Sequence, residues 1–326
     1  MKSFLFSIYL VFFFFNSAAQ TWSQLNNQAF AYYKSGELDK AISTAEKAIE
    51  EAAIDIGKDH ASYASCLIVL GFLCSEAKQY EKSESAFIQA VESCEKRKDQ
   101  NGLCAGIYNQ LANLYTKTEK YEKAEIFYIK DIENKKKFYG RESIQLGTSL
   151  NNLAGLYFLI SQYDKAIPVY KQAEIILKKT LGEEHAEYAT ILNNLGTLYS
   201  NMGEYNKAEP YLLKAAEIRK KLFGTDHLEY VNTLSELAIL YKNNGKYSKA
   251  EPLFILVKEI KMKILGEDDP DYATSLNNLG ALYSNMGEFS KAEILLIKGL
   301  EIIKKHNGDN HSSYAYSLNN LAVLYK

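Results

Sequence analysis

Apolar residues recur every three or four positions along most of the chain. Between Thr190 and Gly203, steps of about 100° per residue place Leu192, Leu195, Leu198, Tyr199 and Met202 on one side of a helix. Thr190, Asn193, Thr197, Ser200 and Asn201 fall on the opposite side. No long alternation of Val, Ile and Thr with polar residues interrupts this pattern, so the chain is predicted to be all-α.

The helical pattern repeats. LNNLGTLYSNMGEYNKAE at 192–209 returns as LNNLGALYSNMGEFSKAE at 276–293, identical at fifteen of eighteen places. Weaker copies start at Leu25, Leu67, Tyr108, Leu150, Leu234 and Leu318, so the period is 42 residues with one step of 41. Seven repeats follow, at about 22–60, 61–103, 104–144, 145–186, 187–228, 229–270 and 271–312, and then the first helix of an eighth at 313–326. Each repeat reads as two helices that cannot bury their apolar faces alone, and such units stack into a solenoid.

Fixed columns support the stack. Ala29, Gly71, Ala112, Ala154, Gly196, Ala238, Gly280 and Ala322 form one small column. Ala41, Ser83, Ala124, Ala166, Ala208, Ala250 and Ala292 form another, and small residues let helices approach closely. A third column is Tyr at 32, 115, 157, 199, 241, 283 and 325, with Cys74 the exception. The Gly of NMGEY and NNGKY is expected to end one helix. Ser248 to Glu251 and Ser290 to Glu293 read as capping boxes opening the next, with Asn206 and Asp164 as equivalent caps. Pro168, Pro210 and Pro252 are expected in that helix's first turn. The pairs Lys178-Lys179, Lys220-Lys221 and Lys304-Lys305 suit its negative C-terminal end.

Leu192, Leu195, Gly196, Tyr199, Ala208 and Leu212 stand at the spacing of the tetratricopeptide repeat, and segments 181–189 and 265–273 resemble its kinesin-light-chain variety. Leu replaces that family's Trp and Phe, and the usual Pro near the end of the second helix is absent. The resemblance covers residues 22–326 and implies a right-handed α-α superhelical solenoid whose first helices line a concave groove. Kinesin light chains are cytoplasmic cargo adaptors, a role that the N-terminus described below argues against. Similar bacterial arrays often precede a signalling or caspase-like CHAT peptidase domain.

On such a groove the polar stripe faces the ligand. Its central column is Asn26, Ile68, Asn109, Asn151, Asn193, Ser235, Asn277 and Asn319. Thr148, Thr190 and Thr274 stand beside it, and Asn201, Asn243 and Asn285 one turn later. A row of amides offers donors and acceptors to the backbone of an extended peptide. The alternative is that Asn belongs to the repeat template and contacts only solvent. The second Asn of each pair (Asn152, Asn194, Asn278, Asn320) lies at the stripe's border and is expected to bond between helices. A clamp for a C-terminal carboxylate would need Lys or Arg on this stripe.

Composition narrows the reading. Thirty-eight basic and forty acidic side chains give a net charge of -2, without the basic footprint of a nucleic-acid binder. Lys2, the apolar run Phe4–Phe15 and small residues at Ser17 and Ala19 read as a signal peptide, 1–19, cut before Gln20. Twelve apolar residues span about 18 Å as a helix, short of the roughly 30 Å hydrocarbon layer, so no stable membrane insertion is expected after cleavage. The product is an exported protein, periplasmic or secreted. In that setting a Cys94–Cys104 bond is one reading, and free thiols the other; Cys74, in an aromatic column, reads as a buried thiol.

His60, His185, His227 and His311 recur in the loop between repeats. Repeats roughly 20 Å apart cannot bring these ligands within the ~2 Å that zinc needs, so capping or packing is expected. Asp269 in the same column agrees. No phosphate loop, GxSxG or HExxH is present, so neither a catalytic role nor a cofactor is expected. The sequence therefore reads as an exported scaffold for protein or peptide ligands. One rival is a sensor arm whose effector domain lies beyond Lys326; another is an architectural spacer. The exposed ends of a solenoid are able to pair end to end, though nothing in the sequence requires it.

Overall fold

A computed structural model describes residues 21–96, 103–309 and 312–325. The expected signal peptide lies outside them, as does His311. Among the described residues there are fifteen helices and no strand.

The chain divides after Arg141 into two compact units. The first holds three hairpins: α1 (Thr21–Lys34) with α2 (Leu38–Asp55), α3 (Ala61–Glu76) with α4 (Tyr80–Lys96), and α5 (Leu103–Lys117) with α6 (Tyr121–Tyr139). The second holds four: α7 (Ile144–Leu159) with α8 (Tyr163–Leu181), α9 (Ala186–Asn201) with α10 (Tyr205–Phe223), α11 (Leu228–Asn243) with α12 (Tyr247–Leu265), and α13 (Pro270–Asn285) with α14 (Phe289–Asn307). It also contains α15 (Ser312–Leu324), packed on α14.

Inside a hairpin the small columns meet large side chains. A Cβ on Gly196 would lie 2.6 Å from Leu212 Cγ, and one on Gly280 would lie 2.8 Å from Leu296. Ala41, Ala124, Ala166, Ala208, Ala250 and Ala292 have no exposed surface. Close approach of the helix backbones therefore depends on both columns staying small.

Between hairpins a Tyr–Glu clasp recurs. Tyr115 donates to Glu84 at 2.8 Å, Tyr241 to Glu209 at 2.7 Å and Tyr283 to Glu251 at 3.0 Å. Each Glu belongs to the preceding second helix. Lys123, Lys249 and Lys291 lie 5.0–5.1 Å from the corresponding ring centroids. The clasp accounts for both the Tyr column and the Glu of the KAE phrase.

That Glu therefore does not close a capping box. The second helices begin at Tyr163, Tyr205, Tyr247 and Phe289, so Asp164, Asn206, Ser248 and Ser290 already lie inside them, and the actual N-cap residues make no side-chain cap bond. A tight turn restarts the helix early: Gly203 N bonds Ser200 O at 3.0 Å and Glu204 N bonds Tyr199 O at 2.9 Å. Pro168, Pro210 and Pro252 consequently sit in the second turn, not the first.

The first helices are capped by side chains. His60 accepts from Ser62 N at 3.2 Å, His185 from Glu187 N at 3.4 Å and His227 from Glu229 N at 3.2 Å, all through Nδ1. Asp269 does the same from Asp271 N at 2.7 Å. Among the described residues the histidine column is a capping column. Cys94 and Cys104 form a disulfide with Cα atoms 5.7 Å apart, tying α4 to α5, while Cys66 and Cys74 are free and buried.

Candidate functional site

Within the second unit α7, α9, α11, α13 and α15 touch in succession, and in the first unit α1, α3 and α5 do so. Among the described residues the second helices make no comparable contacts with one another. The first helices thus form the tighter layer, and the Asn/Thr stripe belongs to it.

The stripe is less open than its polarity suggests. Asn277 has no exposed surface; Nδ2 donates to Ser317 Oγ at 2.7 Å, and its Oδ1 crowds Gly299. Asn109 is 8% exposed, bonded to Asp131 at 3.3 Å and to Asn113 at 3.2 Å. Asn26 is buried against Cys66. These amides join helices, which corrects the expectation that Asn109 and Asn277 present themselves to a ligand. Neighbouring helices lie close enough to engulf the middle of the stripe.

The other stripe residues divide into two groups. Asn151 and Asn193 are half-buried; Asn194 Nδ2 bonds Asn151 Oδ1 at 2.8 Å, the interhelical bond expected of the second Asn. Thr148, Thr190 and Thr274 donate their hydroxyls to their own helix, at Ile144 O, Ala186 O and Pro270 O. Asn201, Asn243, Asn285 and Asn319 are exposed, the first three at helix ends.

A basic column on the second helices underlies the stripe. Arg219 is 5% exposed and reaches α9 and α11 at once. Nη1 donates to Thr233 Oγ1 at 2.6 Å, Glu229 O at 3.2 Å and Asn193 Oδ1 at 3.5 Å, while Nη2 donates to Thr190 Oγ1 at 3.1 Å. Glu229 Oε2 lies 2.9 Å from Nη2. Burial lowers the guanidinium's pKa, and the Glu229 charge opposes that shift. Lys135 and Lys261 hold the same repeat position, where the other repeats place residues such as Leu177 and Ile303.

At Lys261 burial also depresses the pKa, against Asp271, Asp269 and Glu236. Glu236 stands where neighbouring repeats have Asn; burial raises its pKa, opposed by a 3.3 Å bond from Thr197 and by the Lys261 charge. Sequence reading centred on the Asn stripe passed over these residues. Their signal was present as departures from the template at 42-residue spacing.

The sequence matches the tetratricopeptide repeat family over 17–96, 103–179, 150–221, 187–254, 232–305 and 273–326. The chain belongs to the tetratricopeptide repeat family. No functionally curated protein matches it. Among solved structures, this tetratricopeptide repeat protein is similar to BtubC (BKLC) from P. vanneervenii, at 27% identity over 70% of this chain and 92% of that one, TM-score 0.63. A putative kinesin light chain with nearly identical TPR-like repeats from Podospora anserina is 24% identical over 63% and 98%, TM-score 0.55. A Rap protein complexed with Competence and Sporulation Factor shares the fold at 15% identity over 89% and 76%, TM-score 0.60.

Among the described residues no helix is long and apolar enough to cross a membrane, and no group of His, Cys, Asp or Glu is arranged to hold a metal ion.

Proposed function

We propose that the protein is an exported, non-catalytic scaffold that binds extended protein segments along its first-helix layer. The closer spacing of the first helices carries this reading. When one layer of a helical stack is tighter than the other, the tighter layer is the inside of the curve. Ligand backbone would meet half-buried Asn151 and Asn193 and the exposed Asn201, Asn243 and Asn285. A fold neighbour crystallised with a factor supports the choice of a protein or peptide as ligand. The apolar run at 4–15 and the Cys94–Cys104 disulfide favour export, because disulfides persist outside the reducing cytoplasm.

Selection of a phage-displayed dodecapeptide library on the full chain tests the reading. The combined changes Asn201→Ala, Asn243→Ala and Asn285→Ala, all at exposed positions, should weaken selected peptides at least tenfold with an unaltered helical melt. Undiminished binding by that variant would contradict it.

A further inference from the structure

The Tyr–Glu clasp fails at one junction within the second unit. Tyr199 occupies the Tyr column, but the clasp Glu of the preceding helix is replaced by Ile167. Tyr199 is 8% exposed, and among the described residues its hydroxyl has no hydrogen-bond partner. Tyr188, 5% exposed, is in the same state.

Both line an open cleft of about 460 Å³ between α8, α9 and α10, together with Glu174, Leu192, Lys207 and Tyr211. Tyr211 stacks on Tyr199 with centroids 5.8 Å apart, and Lys171 donates to the Tyr211 hydroxyl. Lys207 holds the place over Tyr199 that Lys249 and Lys291 hold over their tyrosines, 5.6 Å from the ring centroid. The acid that those other junctions hold is missing.

We propose that this cleft receives the glutamate side chain of a partner protein, which accepts from the Tyr199 phenol in place of the clasp Glu that the chain lacks at Ile167. The repeats themselves display the required complement. At Tyr241 and Tyr283 it is a carboxylate on a short apolar stem, accepting from the phenol beside a lysine. The Tyr199 phenol lines the open cleft and has no protein acceptor, so an entering carboxylate would gain a charge-assisted hydrogen bond from it. Lys207 already pairs with Glu204 at the surface, but Lys291 pairs with Glu288 alongside an intact clasp, so the two are compatible. The site lies among α8, α9 and α10 and is independent of the peptide-binding stripe.

N-acetyl-glutamate amide is the minimal probe. It should be titrated into the full chain with ¹³C-labelled tyrosine rings and followed by NMR. The expected result is saturable movement of the Tyr188, Tyr199 and Tyr211 signals, with N-acetyl-glutamine amide at least tenfold weaker. Ile167→Glu should abolish binding and raise Tm, because it restores the clasp from within. Tyr199→Phe should weaken binding about tenfold. Equal binding of the Gln and Glu probes, unchanged binding in both variants, or no saturable movement would overturn the proposal. Binding of glutarate tenfold tighter than the peptide-like probe would overturn its assignment to a protein partner.

Discussion

His227 caps α11 through Nδ1, and Asp269 caps α13 through Oδ1, at equivalent positions 42 residues apart. Removing such a cap costs about 1 kcal/mol. His227→Ala should therefore lower stability by about that amount, whereas His227→Asp should leave the thermal midpoint unchanged or higher. Equal losses in both variants would show that the ring acts by packing, for Phe223 stacks on it at 4.5 Å. Arg219 is a heavier test. Arg219→Met leaves Thr233 and Glu229 without their buried donor, and the expected loss is about 3 kcal/mol by urea unfolding. Arg219→Lys should recover only part of it, since an ammonium cannot reproduce the guanidinium fork.

The helix-to-helix turn is the element on which sequence and structure differ most. In most hairpins Gly occupies the left-handed position, as Gly203 does at φ 75°, but Lys78, Glu119 and Ser161 occupy it at φ 60°, 58° and 59°. A non-glycine residue there is strained by about 1–2 kcal/mol, partly offset by the lower unfolded-state entropy of any residue with a Cβ. Lys78→Gly and Ser161→Gly should each stabilise the fold by about 0.5–1 kcal/mol; a loss would show that these side chains hold the turn. The Gly was legible as a stop signal because its role is local. The start of the next helix was not, because KAE resembles a capping box while its Glu serves a tyrosine one hairpin away.

The clasp also responds to pH. The hydrogen bond from Tyr241, aided by Lys249 and Lys246, holds the Glu209 carboxyl below its ordinary value of 4.5. Its contribution is present above that value and is lost as pH falls through the lowered one. Burial and the bond to Glu209 push the Tyr241 phenol up to about 12, so its share is fully present below the ordinary value of 10.0 and is lost as pH rises from there through about 12. Tyr241→Phe should remove the alkaline dependence and weaken the acid one, because Lys249 and Lys246 still face Glu209. Acid unfolding curves that remain superimposable with those of the unaltered chain would exclude the clasp as a stabilising pair.

Across the molecule, periodicity made the hairpin stack readable from residues alone, since small residues returning every 42 positions mark where paired helices approach most closely. The stripe was readable as polar, but whether a particular amide faces solvent or a neighbouring helix depends on spacing between hairpins. Asn277 and Asn285 differ by only two helical turns, yet one is enclosed and the other open. Lys135, Arg219 and Lys261 approach the stripe from the second helices, so a helical wheel of the first helix cannot display them.

The most direct test of the central claim is hydrogen–deuterium exchange of the full chain with and without a library-selected peptide. Binding in the first-helix layer predicts added protection on α7, α9, α11 and α13, strongest around Asn151, Asn193 and Asn243. Protection confined to α8, α10 and α12 would contradict it and place the interaction surface on the second helices.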